Sequence, residues 1–393
     1  MATIESRARS GLDEPARPAV AEARRIVLKV GTRVLTRDDG APALSRLFRV
    51  VETAAGLSRE GREILIVTSG AVGLGRLALR LAERPESAEV KQMCAAVGQS
   101  RLMELYQQGF ARLGIVCAQI LITWTDFDDR LRYRNLHETI QNLLEAGVVP
   151  VINENDAISL NDRAYRGTGR RPIFDDNDRL SALVASELAA DLLVMLTDVP
   201  GVMTDDPRRD PDARLVDRID DPERHGLQVT PAEGGAGRGG MSSKLEAAAV
   251  AARGGCQTVV VSGVDPDALA RALRGSAEGT WIPAGEALSP RSRWIAYCSH
   301  PKGRLTLEPD ALPRLRDGRS GVGAADLSRA EGSFRRGDVV EILGGGGQVV
   351  GRGIVGVDSH RAQRWIARSG SEAEGAGRVL VDREHLVLKE TRG

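Results

Sequence analysis

The sequence predicts an α/β layered domain on a mainly parallel sheet, followed by a small β-rich barrel. Three observations carry this prediction. From Arg25 to about Ala284, short apolar runs alternate with helical stretches. Those runs are apolar on both faces, as buried parallel strands are. After Pro283 the text changes to short strands split by glycine clusters, the pattern of a small barrel.

The elements follow in order. Residues 1–24 have no apolar core of the secretory kind and read as a disordered extension. The strands of the first domain, residues 25–284, are RIVLKV, EILIVTSG, IVCAQILI, VVPVINE, DLLVMLTD and TVVVSG. Helical stretches lie between and after them at Leu44–Arg59, Ala88–Leu113, Leu131–Glu145, Asp178–Ala189, Ser242–Arg253 and Asp265–Arg274. The segment Ala157–Phe174, rich in Gly, Asn and Arg, breaks the alternation and reads as an exposed loop or hairpin. Residues 285–300 open with GEALSPRSRW and read as a Pro/Ser/Gly linker across which few contacts pass. In residues 301–386 the strands are GDVVEIL, QVVGRGIVGV and RVLVDREHLVL, with one helix near Pro309–Arg316.

Composition narrows the function. The chain has 393 residues, 42% apolar and 27% charged, which excludes wholesale disorder, collagen and coiled coil. Basic and acidic residues balance at 54 each, giving no whole-chain case for a nucleic-acid or membrane-surface protein. No apolar run approaches the ~18 residues of a membrane span. Cys94, Cys117, Cys256 and Cys298 stand far apart without a C-x-x-C, which fits a reducing cytoplasm better than a disulfide framework or a zinc site. Only five of the 54 basic residues are lysine: Lys29, Lys91, Lys244, Lys302 and Lys389.

Two stretches match G-x-G-x-x-G, at 235–240 and 351–356. The first does not follow a strand closely and the second lies within a barrel strand, so neither makes a dinucleotide site. No lysine follows a glycine, so there is no Walker A loop. Lys29 is more informative. It ends an otherwise apolar strand beside Gly31 and Thr32, where a buried ammonium needs a fixed anion. It reads either as a lysine snorkelling at a sheet edge or as an anion-binding group at a strand's carboxyl end. A second anion site is written in GGAGRGGMSSKLEAAA, a glycine-rich loop running into a helix with Lys244 in its first turn. The same text also fits a plain surface loop before a capped helix. Finally, Thr68–Gly70, Asn153–Asp156, Asp175–Asp178 and Thr197–Asp198 put polar side chains at strand or helix ends, with Asp178 as a credible N-cap. Each alone reads as a cap or turn; together they define one polar edge of the sheet.

Read in order, VLKVGTRVL, VTSGAVGLG, AAVGQSRLM, DFDDRLRYRN, VPVINENDA, FDDNDRLSAL, MLTDVPGVMTDDPR and GRGGMSSKLEAA resemble the glutamate 5-kinases of the amino-acid kinase family. GSFRRGDVVEIL and VVGRGIVGV resemble the PUA domain that many bacterial members carry. The resemblance covers about residues 25–385. It implies a three-layer αβα sandwich and Mg²⁺- and ATP-dependent phosphorylation of L-glutamate, the opening step of proline biosynthesis. It implies Lys29, Lys244 and Asp178 as catalytic, the aspartate holding the two lysines. It implies Ser69, Asp156 and Asn177 as glutamate-binding. Lys29, Thr197, Asp198, Arg238, Gly239, Gly240, Met241, Ser242, Ser243 and Lys244 fall at its ATP-binding positions. The metal ligands stay unassigned. Further implications are inhibition by proline, a homo-oligomer, a cytoplasmic location and hand-off of product to glutamate-5-semialdehyde dehydrogenase.

Four positions depart from the family pattern. Asp175 stands where Gly is usual before the DND triplet, Arg238 where Thr is usual, Arg33 where a small residue is common, and Trp124 at a place often held by Arg. They bear on substrate and nucleotide detail rather than on reaction class. The chemistry agrees with the resemblance: a carboxylate acceptor is already ionised near neutrality, so no general base is needed, and none of the five histidines has a motif around it. Two rival readings remain: another amino-acid kinase relative, such as an acetylglutamate kinase, aspartokinase or uridylate kinase, and an RNA-binding or RNA-modifying PUA protein. The pairing of NEND with DND and a PUA-like tail favours free glutamate. Residues 301–393 hold 16 basic and 13 acidic residues, a net charge of +3 that is weak for an RNA footprint.

Overall fold

The computed structural model describes residues 16–37, 41–83, 85–158, 176–207, 210–222, 240–318, 320–368 and 378–389. The Ala157–Phe174 loop, apart from Ala157 and Ile158, lies outside them, as do Arg238 and Gly239.

In chain order the first unit comprises α1 (Pro18–Ala21), β1 (Arg25–Val30), α2 (Thr32–Leu35), α3 (Leu44–Arg59), β2 (Glu63–Thr68), α4 (Ala71–Ala78), α5 (Ala88–Arg112), β3 (Cys117–Ile122), α6 (Trp124–Asp128) and α7 (Arg130–Glu145). It continues with β4 (Val149–Glu154), α8 (Asn177–Glu187), β5 (Leu192–Thr197), α9 (Met241–Arg253), β6 (Gln257–Ser262), α10 (Ala268–Leu273) and β7 (Thr280–Ile282). The seven strands form one sheet in the order β3-β4-β2-β1-β5-β6-β7. All neighbours are parallel except the final β6–β7 pair.

The pleat divides the strand residues between two helical layers. Ile26, Leu28, Val30, Ile64, Ile66, Leu192, Val194 and Leu196 face the core that holds α3, α5 and α10. Val27, Leu65, Val67, Leu193 and Met195 face the opposite core, with α7, α8 and α9. The result is an αβα sandwich in which Lys29, two residues beyond Val27, shares the α8/α9 face. Strand order reverses between β1 and β5, and a crevice opens there at the carboxyl ends of parallel strands.

Two glycines bring α4 and α5 together. A Cβ at Gly75 would land on the Cys94 carbonyl, and one at Gly98 on the Ala71 carbonyl. Helices α4 and α5 therefore touch backbone to backbone.

The second unit contains α11 (Pro290–Arg293), a π-helical turn (Trp294–Cys298), β8 (Gly303–Leu307), α12 (Ala311–Arg316), β9 (Val322–Gly323), a 3₁₀ turn (Ala324–Asp326), β10 (Leu327–Gly332), β11 (Val339–Leu343), β12 (Val349–Val355), α13 (Ser359–Arg368) and β13 (Val379–Leu388). Its six strands run β10-β8-β11-β12-β13-β9, antiparallel apart from β8–β11. They curl around a core of their own, including Leu305, Phe334, Ile342 and Leu380. No described helix is long and apolar enough to cross a membrane.

Two expectations are corrected. Residues 16–24, expected to belong to a disordered extension, pack against the sheet edge. Val20 is fully buried, and the Arg17 guanidinium donates to the carbonyls of Glu278 (2.7 Å), Gly279 (3.0 Å) and Asp217 (3.1 Å). The segment 285–300 is no loose linker either. Ile295 and Cys298 are fully buried, and Trp294, Tyr297 and Cys298 join the α8/α9-side core. Trp294 Nε1 donates to the Phe127 carbonyl at 3.1 Å, and Asp128 takes the His300 amide at 2.7 Å and Lys302 Nζ at 3.0 Å. Arg352 of β12 donates to the Ala296 carbonyl at 2.9 Å, so the turn is held from both sides. The Pro/Ser text marks the start of this tie, and the apolar residues that lock it come after.

A chain truncated at Ser289 should therefore lose part of the first unit's core and aggregate or unfold early. One truncated after Lys302 should melt nearer the full-length chain. Thermal melts with size-exclusion chromatography check this; equal stability of the two would contradict a packing role for residues 290–300.

Candidate active site

The site starts from Lys29. Its strand neighbours are Val67 and Met195, and the residue is only 5% exposed. Its ammonium lies 2.6 Å from Asp178 Oδ1. Lys244, in the first turn of α9, reaches the other oxygen, Asp178 Oδ2, at 3.0 Å. Asp178 is 1% exposed, so one buried carboxylate is clamped between two nearly buried ammonium groups. A carboxylate in this position needs both partners, since an unpaired buried charge is strongly unfavourable.

The electrostatics follow from the geometry. Burial alone would raise the Asp178 pKa; attraction to Lys29 and Lys244 and their hydrogen bonds outweigh it and hold the carboxyl below its ordinary 3.8. Burial lowers Lys29 from its ordinary 10.5, Asp178 opposes the shift, and the nearby Lys244 charge reinforces it. The group of three carries a net positive charge, with the amino ends of α8 and α9 beside it. Positive charge and free helix amino ends are the features that attract an anion, and the Asp176 carboxylate nearby opposes the lowering of the Lys29 pKa.

Asp178 was expected to double as N-cap of α8. The cap is instead Asp176, whose Oδ1 accepts from the Arg179 amide at 2.8 Å. Asp176 Oδ2 also accepts from Ser243 Oγ, which ties the start of α8 to the start of α9. Moving the cap two residues upstream frees the Asp178 side chain for the lysines.

Beside this charged group lies a polar network. Asn177 Nδ2 donates to the Thr68 carbonyl (2.7 Å), Ser69 Oγ (2.9 Å) and Asn153 Oδ1 (3.0 Å). Asn153 Nδ2 donates to Gln99 Oε1 at 2.8 Å. The ends of β2 and β4, the start of α8 and the middle of α5 thus meet. Gly70 permits the turn from β2 into α4: its φ of 103° is in the left-handed region, where a side chain would be strained. Asp156 lies half-buried two residues beyond β4.

On the other side of Lys29, Thr197 and Asp198 close β5. Thr197 is buried, and Asp198 pairs with Arg33 at 2.9 Å across the strand-order reversal. A Cβ at Gly31 would meet Leu196 O and Lys29 Nζ, both at 3.4 Å, so backbone lies close to the ammonium. Gly240 precedes α9 in extended conformation, Met241 packs against the core, Ser242 is exposed, and Ser243 bonds Asp176. Trp124 meets His300 in a tilted ring pair, 6.0 Å between centroids and 54° between planes, at the junction of the two units.

The structure brings together Lys29, Lys244, Asp178, Asn177 and Ser69, with Thr197 and Asp198 at the neighbouring strand end. Reading the sequence missed Asn153, Gln99 and Asp176 as members of the site. Asn153 and Asp176 had a signal, since both lie in the polar runs noted above; Gln99 sits in mid-helix, where only the helix crossing shows which way it faces.

Asp178→Asn should test the clamp. With a depressed folded pKa, the pair's stabilisation is present above the unfolded value of about 3.9 and is lost as pH falls through the folded one. The variant should be about 3–5 kcal/mol less stable than wild type near pH 7. The gap should narrow as pH falls below about 4. Urea titrations across pH check it; a gap independent of pH would contradict the ion-pair account.

Comparison with known proteins gives the family. Residues 24–262 match the family model described as the amino acid kinase family, and residues 303–374 match that of the PUA domain. The glutamate 5-kinase of Geobacter metallireducens is 38% identical over 373 residues, covering 93% of this chain and 97% of that protein. That of Myxococcus xanthus is 39% identical over 361 residues, covering 88% and 90%. That of Synechococcus elongatus is 38% identical over 372 residues, covering 92% and 99%. With its two lysines clamped on one aspartate at the reversal point of a parallel sheet, the chain belongs to the amino acid kinase family, in its glutamate 5-kinase branch, and carries a PUA domain.

Proposed function

We propose that the site transfers the γ-phosphoryl group of Mg·ATP to the γ-carboxylate of L-glutamate, giving L-glutamyl 5-phosphate and ADP. The observation that carries this reading is the buried Lys29–Asp178–Lys244 group. An anionic acceptor must approach an anionic phosphate, and the main obstacle is repulsion. Two ammonium groups at fixed positions offset it, most strongly as charge spreads over the transferring phosphoryl oxygens. A γ-carboxylate oxygen attacks phosphorus as the bond to the ADP oxygen breaks. No proton moves, since the acceptor, with a pKa of about 4.3, is already ionised. Asp178 is then no general base: its two oxygens hold the lysines apart and in place.

Asp156 is assigned to the substrate α-ammonium, with Ser69 and Asn177 beside it. Thr197, Asp198 and the run Arg238–Lys244 are assigned to the nucleotide. Among the described residues, no cluster of three His, Cys, Asp or Glu side chains could hold a metal ion. The metal would supply charge neutralisation at the phosphates.

The same reading extends to a role opening proline biosynthesis in the cytoplasm, inhibition by proline, a homo-oligomer and delivery of the labile acyl phosphate to glutamate-5-semialdehyde dehydrogenase. Proline shares the α-carboxylate and a cationic nitrogen with glutamate, which supports competition for the same contacts.

Purified protein with Mg·ATP and hydroxylamine should form hydroxamate from L-glutamate, and Lys244→Ala should cut kcat by about 10²–10³ with a smaller change in KM. Lys244→Arg should restore only part, because a planar fork replaces a compact charge. Hydroxamate from N-acetylglutamate or aspartate but not glutamate would overturn the substrate assignment. Separately, Asp156→Ala should raise the glutamate KM strongly and leave ATP affinity nearly unchanged by calorimetry. Proline inhibition should weaken as glutamate rises; inhibition insensitive to saturating glutamate would mean a separate site.

A further inference from the structure

We infer that Gln99 is a positioning residue for the amino-acid substrate: by anchoring Asn153 it holds in place Asn177, whose polarity the Thr68 carbonyl fixes and whose carbonyl oxygen is thereby presented to the substrate's ammonium group. The inference deepens the glutamate reading above and rests on it.

One buried side-chain atom beside the charged group has no partner among the described residues. Asn177 Oδ1 is buried and makes no hydrogen bond among the described residues, while the nitrogen of the same amide has three acceptors within 3.0 Å. A buried carbonyl oxygen without a donor is costly, so it marks the place of a donor carried by a ligand. An amino acid brings one in its α-ammonium group.

The amide cannot be turned round. Thr68 O is an acceptor only, so an inverted Asn177 would set oxygen against oxygen at the 2.7 Å contact. Asn153 Oδ1 is an acceptor at 3.0 Å for the same reason: its own Nδ2 is committed to Gln99 Oε1 at 2.8 Å. Asn153 is 1% exposed, so it has no water to fall back on. If Gln99 presented a donor instead, Asn153 would have to invert and would aim Nδ2 at the nitrogen of Asn177. The chain Gln99, Asn153, Asn177 therefore has one consistent direction, and it ends on a free acceptor.

The backbone holds Gln99 in place. It follows Gly98, whose Cα faces the Ala71 carbonyl at the α4–α5 crossing, and α4 begins one residue after Gly70. Seven residues further along α5, the Tyr106 hydroxyl bonds Thr68 Oγ1 at 2.9 Å. One helix thus braces the ends of β4 and β2 together.

The test compares Gln99→Met with Gln99→Glu. Methionine has nearly the same shape and no strong acceptor; glutamate keeps an acceptor at the same place. Gln99→Met should raise the KM for L-glutamate about tenfold, equivalent to about 1.4 kcal/mol, with kcat and the KM for ATP changed less than about twofold. Gln99→Glu should keep the glutamate KM within about threefold of wild type. Thermal melts accompany the kinetics, because a purely structural role would lower both midpoints without separating the two variants in KM. An unchanged glutamate KM in Gln99→Met overturns the inference, as does an equal rise in both variants or a parallel rise in the ATP KM. If wild type forms no hydroxamate with glutamate, the substrate reading falls and this inference with it; if wild type is active and Gln99→Met matches it, only the positioning role falls.

Discussion

A single carboxylate shared by two ammonium groups, all three nearly cut off from water, is the interaction on which the rest of the structure depends. None of the three could stay charged there alone. Lys29 comes from a strand, Asp178 from the start of one helix and Lys244 from the start of another. Their meeting fixes the sheet register, the entry of α8 and the entry of α9 relative to one another. The Asp176–Ser243 bond repeats the tie between the two helices on the outer side. The three groups together carry one excess positive charge, with the Asp176 carboxylate close by, at the reversal point of the sheet.

Around that charge the chain divides its labour by strand end. The ends of β2 and β4 carry neutral amides and hydroxyls, joined into one network with Asn177. The end of β5 carries Thr197 and Asp198, and Arg33 reaches across to the latter. Of the departures from the family pattern, Asp175 and Arg238 lie outside the described residues, while Arg33 falls at the end of β5 and Trp124 at the junction of the units. Arg33 gains a defined partner in Asp198. Trp124 gains one in His300, next to the turn that locks the second unit to the first.

Much of this was legible in the sequence, for a physical reason. The six parallel strands are short runs apolar on both faces, and the helices between them carry enough periodic apolar residues to be placed within a few positions. Lysine is rare in this chain, so Lys29 in an apolar strand and Lys244 beside a glycine loop stood out. What was not legible depends on direction and on contacts distant in sequence. Asp176 and Asp178 are equally good caps by type, and only the pull of two lysines decides between them. The helix at Ser359–Arg368 went unseen because its text is mostly charged and polar, with Ala362 alone deeply buried among its hydrophobic residues. The junction read as a linker because Pro and Ser dominate its beginning, while the packing of Ile295 and Cys298 against the first unit is a tertiary fact.

The position of Lys29 within β1 also bears on folding fidelity. The strand reads iso-hydrophobic: Ile26, Leu28 and Val30 serve one core and Val27 the other, with buried neighbours on both sides. Such a strand has no polar face, so its side-chain pattern hardly penalises a shift by one residue against β2 and β5. Lys29 supplies the missing penalty. A one-residue slip would swing its ammonium into the α3/α5 layer, away from Asp178, and leave a bare carboxylate behind. The group that anchors the charged site thereby acts as a register mark, and a misassembled sheet would be rejected on electrostatic grounds before it could persist.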